Sequence, residues 1–316
     1  MKRLILLCLV LVGCQVPQAA SPVQTPSSAR TAKGTLGVKL LWPERRTQLI
    51  PLSTEAIRIR VLKDGRQIAE QTLGRPARND AEAVGQGTLP LDAASGLTVV
   101  AEAFRTNPIL SSDLPIASNE ARGVNVVANQ KTSVTLALAP HFIPVLTSFK
   151  PANGGPGVEV TLAGAFGDSP YVGLAIGENE GVGRAREGAI VAIVPWNASS
   201  GPVMALADGI RSNALGTFRV LKTLAFDPAR KAFSVGETYE FTVPSATDTS
   251  GQAVSNPTLT RWEALPPGEL NSAIPAPSTV GSIDDKGTFT ALAPGEVAIR
   301  VYSGAISAYT TITVVD

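Results

Sequence analysis

Four carboxylates lie close enough in sequence to suggest paired acid–base work: Glu178 with Glu180, and Asp284 with Asp285. A glycosidase needs two carboxyls converging across a cleft. Asp284 and Asp285 fall in an Asp-x-x-Gly turn, where adjacent side chains point apart. Glu178-Asn179-Glu180 falls in the Gly-rich, charged stretch 177–188, which reads as an exposed loop. Both pairs read as solvated acidic turns, and neither has the spacing of an EF-hand calcium loop. The single histidine, His141, sits at a domain junction, Leu138-Ala139-Pro140-His141-Phe142, and the chain has no Gly-x-Ser-x-Gly nucleophile elbow. Gly clusters such as Gly181-Val182-Gly183-Arg184 lack the Gly-Lys-Ser/Thr and following helix of a phosphate loop. Of the three tryptophans, Trp42 precedes Pro43 at a strand end and Trp262 follows a strand. Trp196 lies in the turn Pro195-Trp196-Asn197-Ala198-Ser199, which favours exposure. Trp196, Glu178 and Glu180 are the candidates to touch a ligand; no residue is assigned to catalysis, to a metal or to a cofactor.

Thiol chemistry is limited to Cys8 and Cys14. Lys2 and Arg3, the apolar run Leu4–Val12, and the small Gly13 have the order of an export signal. The run is far shorter than the ~20 residues of a membrane span. Leu11-Val12-Gly13-Cys14 resembles the lipobox of bacterial lipoproteins. That resemblance implies removal of residues 1–13, lipidation of Cys14 and attachment to a membrane. Gln15 follows the cysteine, and the resemblance then implies the outer membrane in a diderm cell. Loss of residues 1–13 takes Lys2 and Arg3 from the 27 basic residues and none from the 26 acidic ones, so the mature chain carries one net negative charge. Such balance gives no drive toward nucleic acid. With Cys14 as the only remaining thiol, disulfides and cysteine metal sites are excluded.

The elements that must position these residues are strands. The chain has 29 Gly and 24 Pro and almost no helix-periodic runs, the composition of all-β domains rich in turns. Residues 14–34, rich in Pro, Ser, Gln, Thr and Ala, read as a disordered tether spanning on the order of 25 Å. Residues 35–140 read as a first β-sandwich, starting with a strand over 35–42. Residues 56–63 alternate, with Ile57, Ile59 and Val61 on one face, and Asp64-Gly65 supplies a type I′ hairpin turn. The segments 94–104 and 127–138 make this part resemble the prealbumin-like or carboxypeptidase-regulatory-like sandwiches.

Residues 143–221 carry Pro144-Val145-Leu146-Thr147-Ser148-Phe149-Lys150-Pro151, Gly154-Gly155-Pro156-Gly157 and Val158-Glu159-Val160-Thr161-Leu162-Ala163-Gly164. With Phe166 close behind, they resemble an IPT/TIG domain, which implies an immunoglobulin-like fold. Residues 222–316 carry Phe233-Ser234-Val235-Gly236, Trp262, Ile283-Asp284-Asp285-Lys286-Gly287 and Pro294-Gly295. They resemble a bacterial Ig-like group-2 domain, with 263–279 as a Pro- and Ser-rich insertion.

The reading is all-β: tandem immunoglobulin-like β-sandwiches after a signal peptide and disordered linker. The chain then serves as a lipid-anchored, non-catalytic envelope protein with an adhesion or interaction role. Two further readings stay open, a carbohydrate-binding accessory lipoprotein and a structural component of envelope assembly. The expected partners are a membrane, through the lipid, and a glycan or a protein.

Overall fold

A computed structural model describes residues 33–40, 51–75 and 85–316. The expected signal peptide, Cys14, the expected tether up to residue 32 and Trp42 lie outside the described residues. Within them the chain is all-β, and its one helical element is a 3-10 turn at Pro267–Glu269. Three hydrophobic cores follow one another along the sequence.

The first core lies between a three-stranded and a five-stranded sheet. The alternation over Ala56–Lys63 works as its pattern demands: Ile57, Ile59 and Val61 are fully buried. On the opposite face Arg58 and Arg60 both bond Glu102 of the neighbouring strand, at 3.0 and 2.8 Å. Asp64 and Gly65 take φ values of 51° and 77°, the positive pair a type I′ turn requires. Residues 33 and 34, expected to belong to the tether, instead open the strand Lys33–Leu40. Lys33 is paired with Asp92, and its carbonyl accepts the Asn129 N–H.

The second core gathers Val158, Val160 and Leu162 from Glu159–Ala165 and the residue before it, with Ile190, Val203 and Phe218. The stretch 177–188 is not a loop. Asn179–Arg186 is a strand paired with Val172–Ile176 on one side and Ala189–Ile193 on the other. The glycines that suggested a loop are there for clearance. A Cβ at Gly181 would lie 2.5 Å from the Ile193 carbonyl oxygen, and one at Gly183 would lie 2.9 Å from Ile190 Cγ2. Only the outer two, Gly177 and Gly188, serve turns, with φ of 58° and 81°.

The third core is aromatic: Phe226, Phe233, Phe241, Trp262 and Phe289 pack together. Trp262 is therefore core and cannot stack on a ligand. The expected boundary at 221/222 falls inside a single strand, Leu215–Ala225. Phe218 and Val220 enter the second core, whereas Leu221 and Leu224 enter the third. Period-two alternation accounts for the switch at Val220/Leu221, and a register shift between Leu221 and Thr223 re-aims the rest. The same strand pairs with Gly201–Ala207 of one sandwich and Ser245–Asp248 of the next.

Asp248 fastens this joint. Its buried carboxylate accepts the N–H groups of Ser250 and Gln252, each at 2.9 Å, and the Arg219 Nε at 2.9 Å. Burial alone would raise its pKa. The Gln252 and Ser250 N–H groups and the Arg219 guanidinium outweigh that and hold it below the ordinary carboxylate range. A depressed folded-state pKa gives stability that is present above the unfolded value and is lost as the pH falls through the folded one. Thermal midpoints measured from neutral pH downward should stay level until about pH 4 and then fall. Asp248→Asn should lower the plateau and flatten the acid limb.

Candidate functional site

Trp196 follows Ala189–Ile193 at the end of a pinned loop. The Ala198 N–H donates to the Pro195 carbonyl at 3.2 Å, and Ala198 is buried. Four residues beyond the tryptophan, the Ser200 N–H donates to Thr249 Oγ1 at 2.8 Å, and Ser200 Oγ accepts the Val220 N–H at 3.0 Å. The loop is thus tied to both the second and the third sandwich. Trp196 itself is 73% exposed. Leaving an indole in water forgoes about 2 kcal/mol or more of burial, a cost the fold does not need to bear at a turn.

Glu178 and Glu180 come from the turn and strand beside it. They do not face each other across a cleft; both grip Arg211. Arg211 Nη1 is 3.5 Å from Glu178 Oε2, and Nη2 is 3.0 Å from Glu180 Oε1. The Pro195 ring packs against Gly181, 3.3 Å from where a Cβ would stand, so Trp196 and Glu180 flank one contact. Val182, 85% exposed, and Ile193, 44% exposed, extend the surface as an apolar strip. The second sandwich thus carries three exposed features, the Trp196 indole, the apolar pair Val182 and Ile193, and the carboxylate–guanidinium cluster on Arg211. Arg211 comes from outside the 177–188 stretch, which is why the sequence did not show it.

The other flagged groups do structural work. Asp284 accepts the N–H groups of Thr288 and Lys286, at 2.8 and 2.9 Å, and these hold its pKa low. This caps the turn. His141 Nε2 bonds Ser118 Oγ at 2.7 Å and lines a cleft of about 530 Å³ between the first and second sandwiches.

This cleft has no sequence signal, because its lining comes from six separated segments. Leu114, Ile116, Phe142, Phe166 and Ile210 supply apolar surface. At its back lies a polar latch centred on Asp208, a buried residue with φ of 57°. The Asp208 carboxylate accepts the Ser53 N–H at 2.7 Å and the Ser53 hydroxyl at 2.6 Å; its carbonyl accepts the Leu52 N–H at 2.9 Å. Arg105 closes the latch, with Nη2 3.4 Å from Asp208 and Nη1 2.8 Å from Asp168. The Arg105 hydrogen bond and charge draw the Asp168 pKa below the ordinary range. At the rim, Asp113 is also held low, by the Thr106 hydroxyl and then the Leu110 N–H.

No protein family matches the sequence, and no curated protein does. Among solved structures, similarity is found to the SGBP-B protein of a Bacteroides ovatus mixed-linkage glucan utilization locus, in complex with a mixed-linkage heptasaccharide. That pair shows 10% identity and a TM-score of 0.23, covering 83% of this chain and 60% of the other. An auxiliary nutrient binding protein from Bacteroides thetaiotaomicron gives 14% identity and a TM-score of 0.22, covering 54% and 59%. A three-Ig segment of titin gives 13% identity and a TM-score of 0.20, covering 90% and 99%. Scores this low mark no shared global arrangement. The chain's own sheets and cores establish what it is in architecture: a tandem of immunoglobulin-like β-sandwiches.

Proposed function

We propose that the protein is a lipid-anchored, non-catalytic component of the bacterial cell envelope that presents its sandwiches as a binding surface, with Trp196 as the principal contact. One observation carries the binding part: a nearly free indole on a loop tied down at both ends. Large aromatic side chains held rigidly lose little entropy on contact and dominate binding interfaces. The anchoring part rests on Leu11-Val12-Gly13-Cys14 and the Pro- and Ser-rich stretch after it. The middle and last sandwiches are taken to be IPT/TIG and bacterial Ig-like group-2 modules, and Gln15 favours the outer membrane of a diderm cell.

The exposed Trp196 indole, together with the carboxylate–guanidinium cluster of Glu178, Glu180 and Arg211 on the same sandwich, favours a glycan as the ligand. A sugar ring presents C–H groups to an aromatic face while its hydroxyls donate to a carboxylate and accept from a guanidinium. Purified mature protein should bind members of a broad glycan panel. Trp196→Ala should weaken that binding by at least tenfold, about 1.4 kcal/mol, with an unchanged melting temperature because the side chain is not part of a core. Unaltered binding in the variant would reject Trp196 as the contact. For the anchor, labelled palmitate should enter the wild-type chain in cells and fail to enter Cys14→Ser.

A further inference from the structure

We propose that the cleft between the first and second sandwiches is a separate binding site for a small amphipathic organic ammonium ion. Its volume of about 530 Å³ falls within the range of small-molecule pockets. The walls are apolar and partly aromatic. Leu114 is 82% exposed, and Phe142 lies against the Gly167 backbone, 3.3 Å from where a Cβ would stand, yet stays half exposed. Both side chains line the cleft and neither is covered by the described residues.

Hydrogen-bonding capacity sets the polarity of the ligand. Among the described residues the cleft's one Lys or Arg side chain is Arg105, and each of its nitrogens already faces a protein acceptor: Nε on Ser53 Oγ at 3.1 Å, Nη1 on Asp168 and Nη2 on Asp208. Acceptor capacity stands open beside it. Asp113 Oδ2 takes the Thr106 hydroxyl and the Leu110 N–H, but among the described residues nothing donates to Oδ1. Among the described Asp, Glu, Lys and Arg residues of the lining, Asp113, Asp168 and Asp208 oppose Arg105 alone, an excess of two negative charges. An anion would meet net like charge and a guanidinium already turned to Asp168 and Asp208. A neutral apolar molecule would leave the Asp113 carboxylate at the rim without a counter-charge. An ammonium group on a short hydrocarbon or aromatic body satisfies both halves, since it donates to the open carboxylate oxygen and places its body between Phe142, Phe166 and Leu114. A cation beside a phenyl face gains further attraction.

The test uses the mature chain and three probes of similar shape: 2-phenylethylammonium, 2-phenylethanol and phenylacetate. Titration followed by NMR or calorimetry should show the ammonium binding about tenfold or more tighter than the alcohol, with phenylacetate weakest, as expected for a charge-assisted bond. Asp113→Asn should abolish the preference for the ammonium. Phe142→Ala should weaken ammonium and alcohol alike while keeping their ratio. Trp196→Ala should change nothing here, which separates this site from the proposed glycan surface. Equal affinities, a preference for phenylacetate, no saturable binding of any probe, or an ammonium preference that survives Asp113→Asn would each overturn the assignment.

Discussion

Phe241→Ala is expected to lower the stability of the third sandwich by about 3–5 kcal/mol, the cost of emptying an aromatic site in a packed core. Phe241 is 2% exposed and is the hub of the ring cluster. It meets Tyr239, Phe226, Phe233 and Phe289 with centroids 5.0, 5.8, 5.9 and 6.0 Å away. Its removal leaves a void and breaks several edge-to-face contacts at once. The surrounding rings are held by four different strands and loops, so they cannot collapse together to fill the space. Hydrogen exchange reads the effect locally. Amides of Gly295–Ser303 should lose most of their protection, whereas those of Ala94–Phe104 in the first sandwich should keep theirs. Phe241→Leu should recover more than half the loss. A uniform fall in protection across all three cores would contradict the independence of their interiors.

Asp208→Ala should release the first sandwich from the second. The substitution removes the acceptor of the Ser53 N–H, the Ser53 hydroxyl and Arg105 together. Leaving buried donors unsatisfied next to a guanidinium costs about 2–3 kcal/mol, and alanine at a φ of 57° adds about 1 kcal/mol of backbone strain. The expected signs are fast exchange of the Ser53 amide and a first-sandwich transition that separates in calorimetry. Asp208→Asn should do less harm, because asparagine tolerates positive φ and retains a carbonyl acceptor. Unchanged protection of Ser53 would show that the joint is held by other contacts.

Short-range chemistry explains what could be read before any coordinates. Alternation over Ile57, Ile59 and Val61, the Asp64-Gly65 turn, and the run Val158, Val160, Leu162 each depend on neighbours within a few residues. Trp196 in its proline-led turn belongs to the same class. The misreadings have a common cause as well. Gly181 and Gly183 suggested a loop because their reason for being glycine lies on another strand, where Ile193 and Ile190 leave no room for a Cβ. Local sequence leaves Trp262 open to either role, and what makes it core is Phe226, 36 positions earlier in the sequence, at 5.4 Å from it. The cleft was invisible for the strongest version of this reason: Ser53 and Asp208 stand 155 residues apart. No local pattern announces a pair at that separation. The Glu178–Glu180 motif was apparent, whereas Arg211, 31 residues after Glu180, was not.

The unbroken strand Leu215–Ala225 has a mechanical consequence. Tension applied at the far end of a tethered chain passes through each junction in turn, and a loose linker would let every module swivel and yield separately. Here the backbone that leaves one module is already laced into the next, with rungs to Gly201–Ala207 behind and Ser245–Asp248 ahead. Torque on the last module is therefore delivered to the middle one without slack, and the two should rupture under load as a single unit.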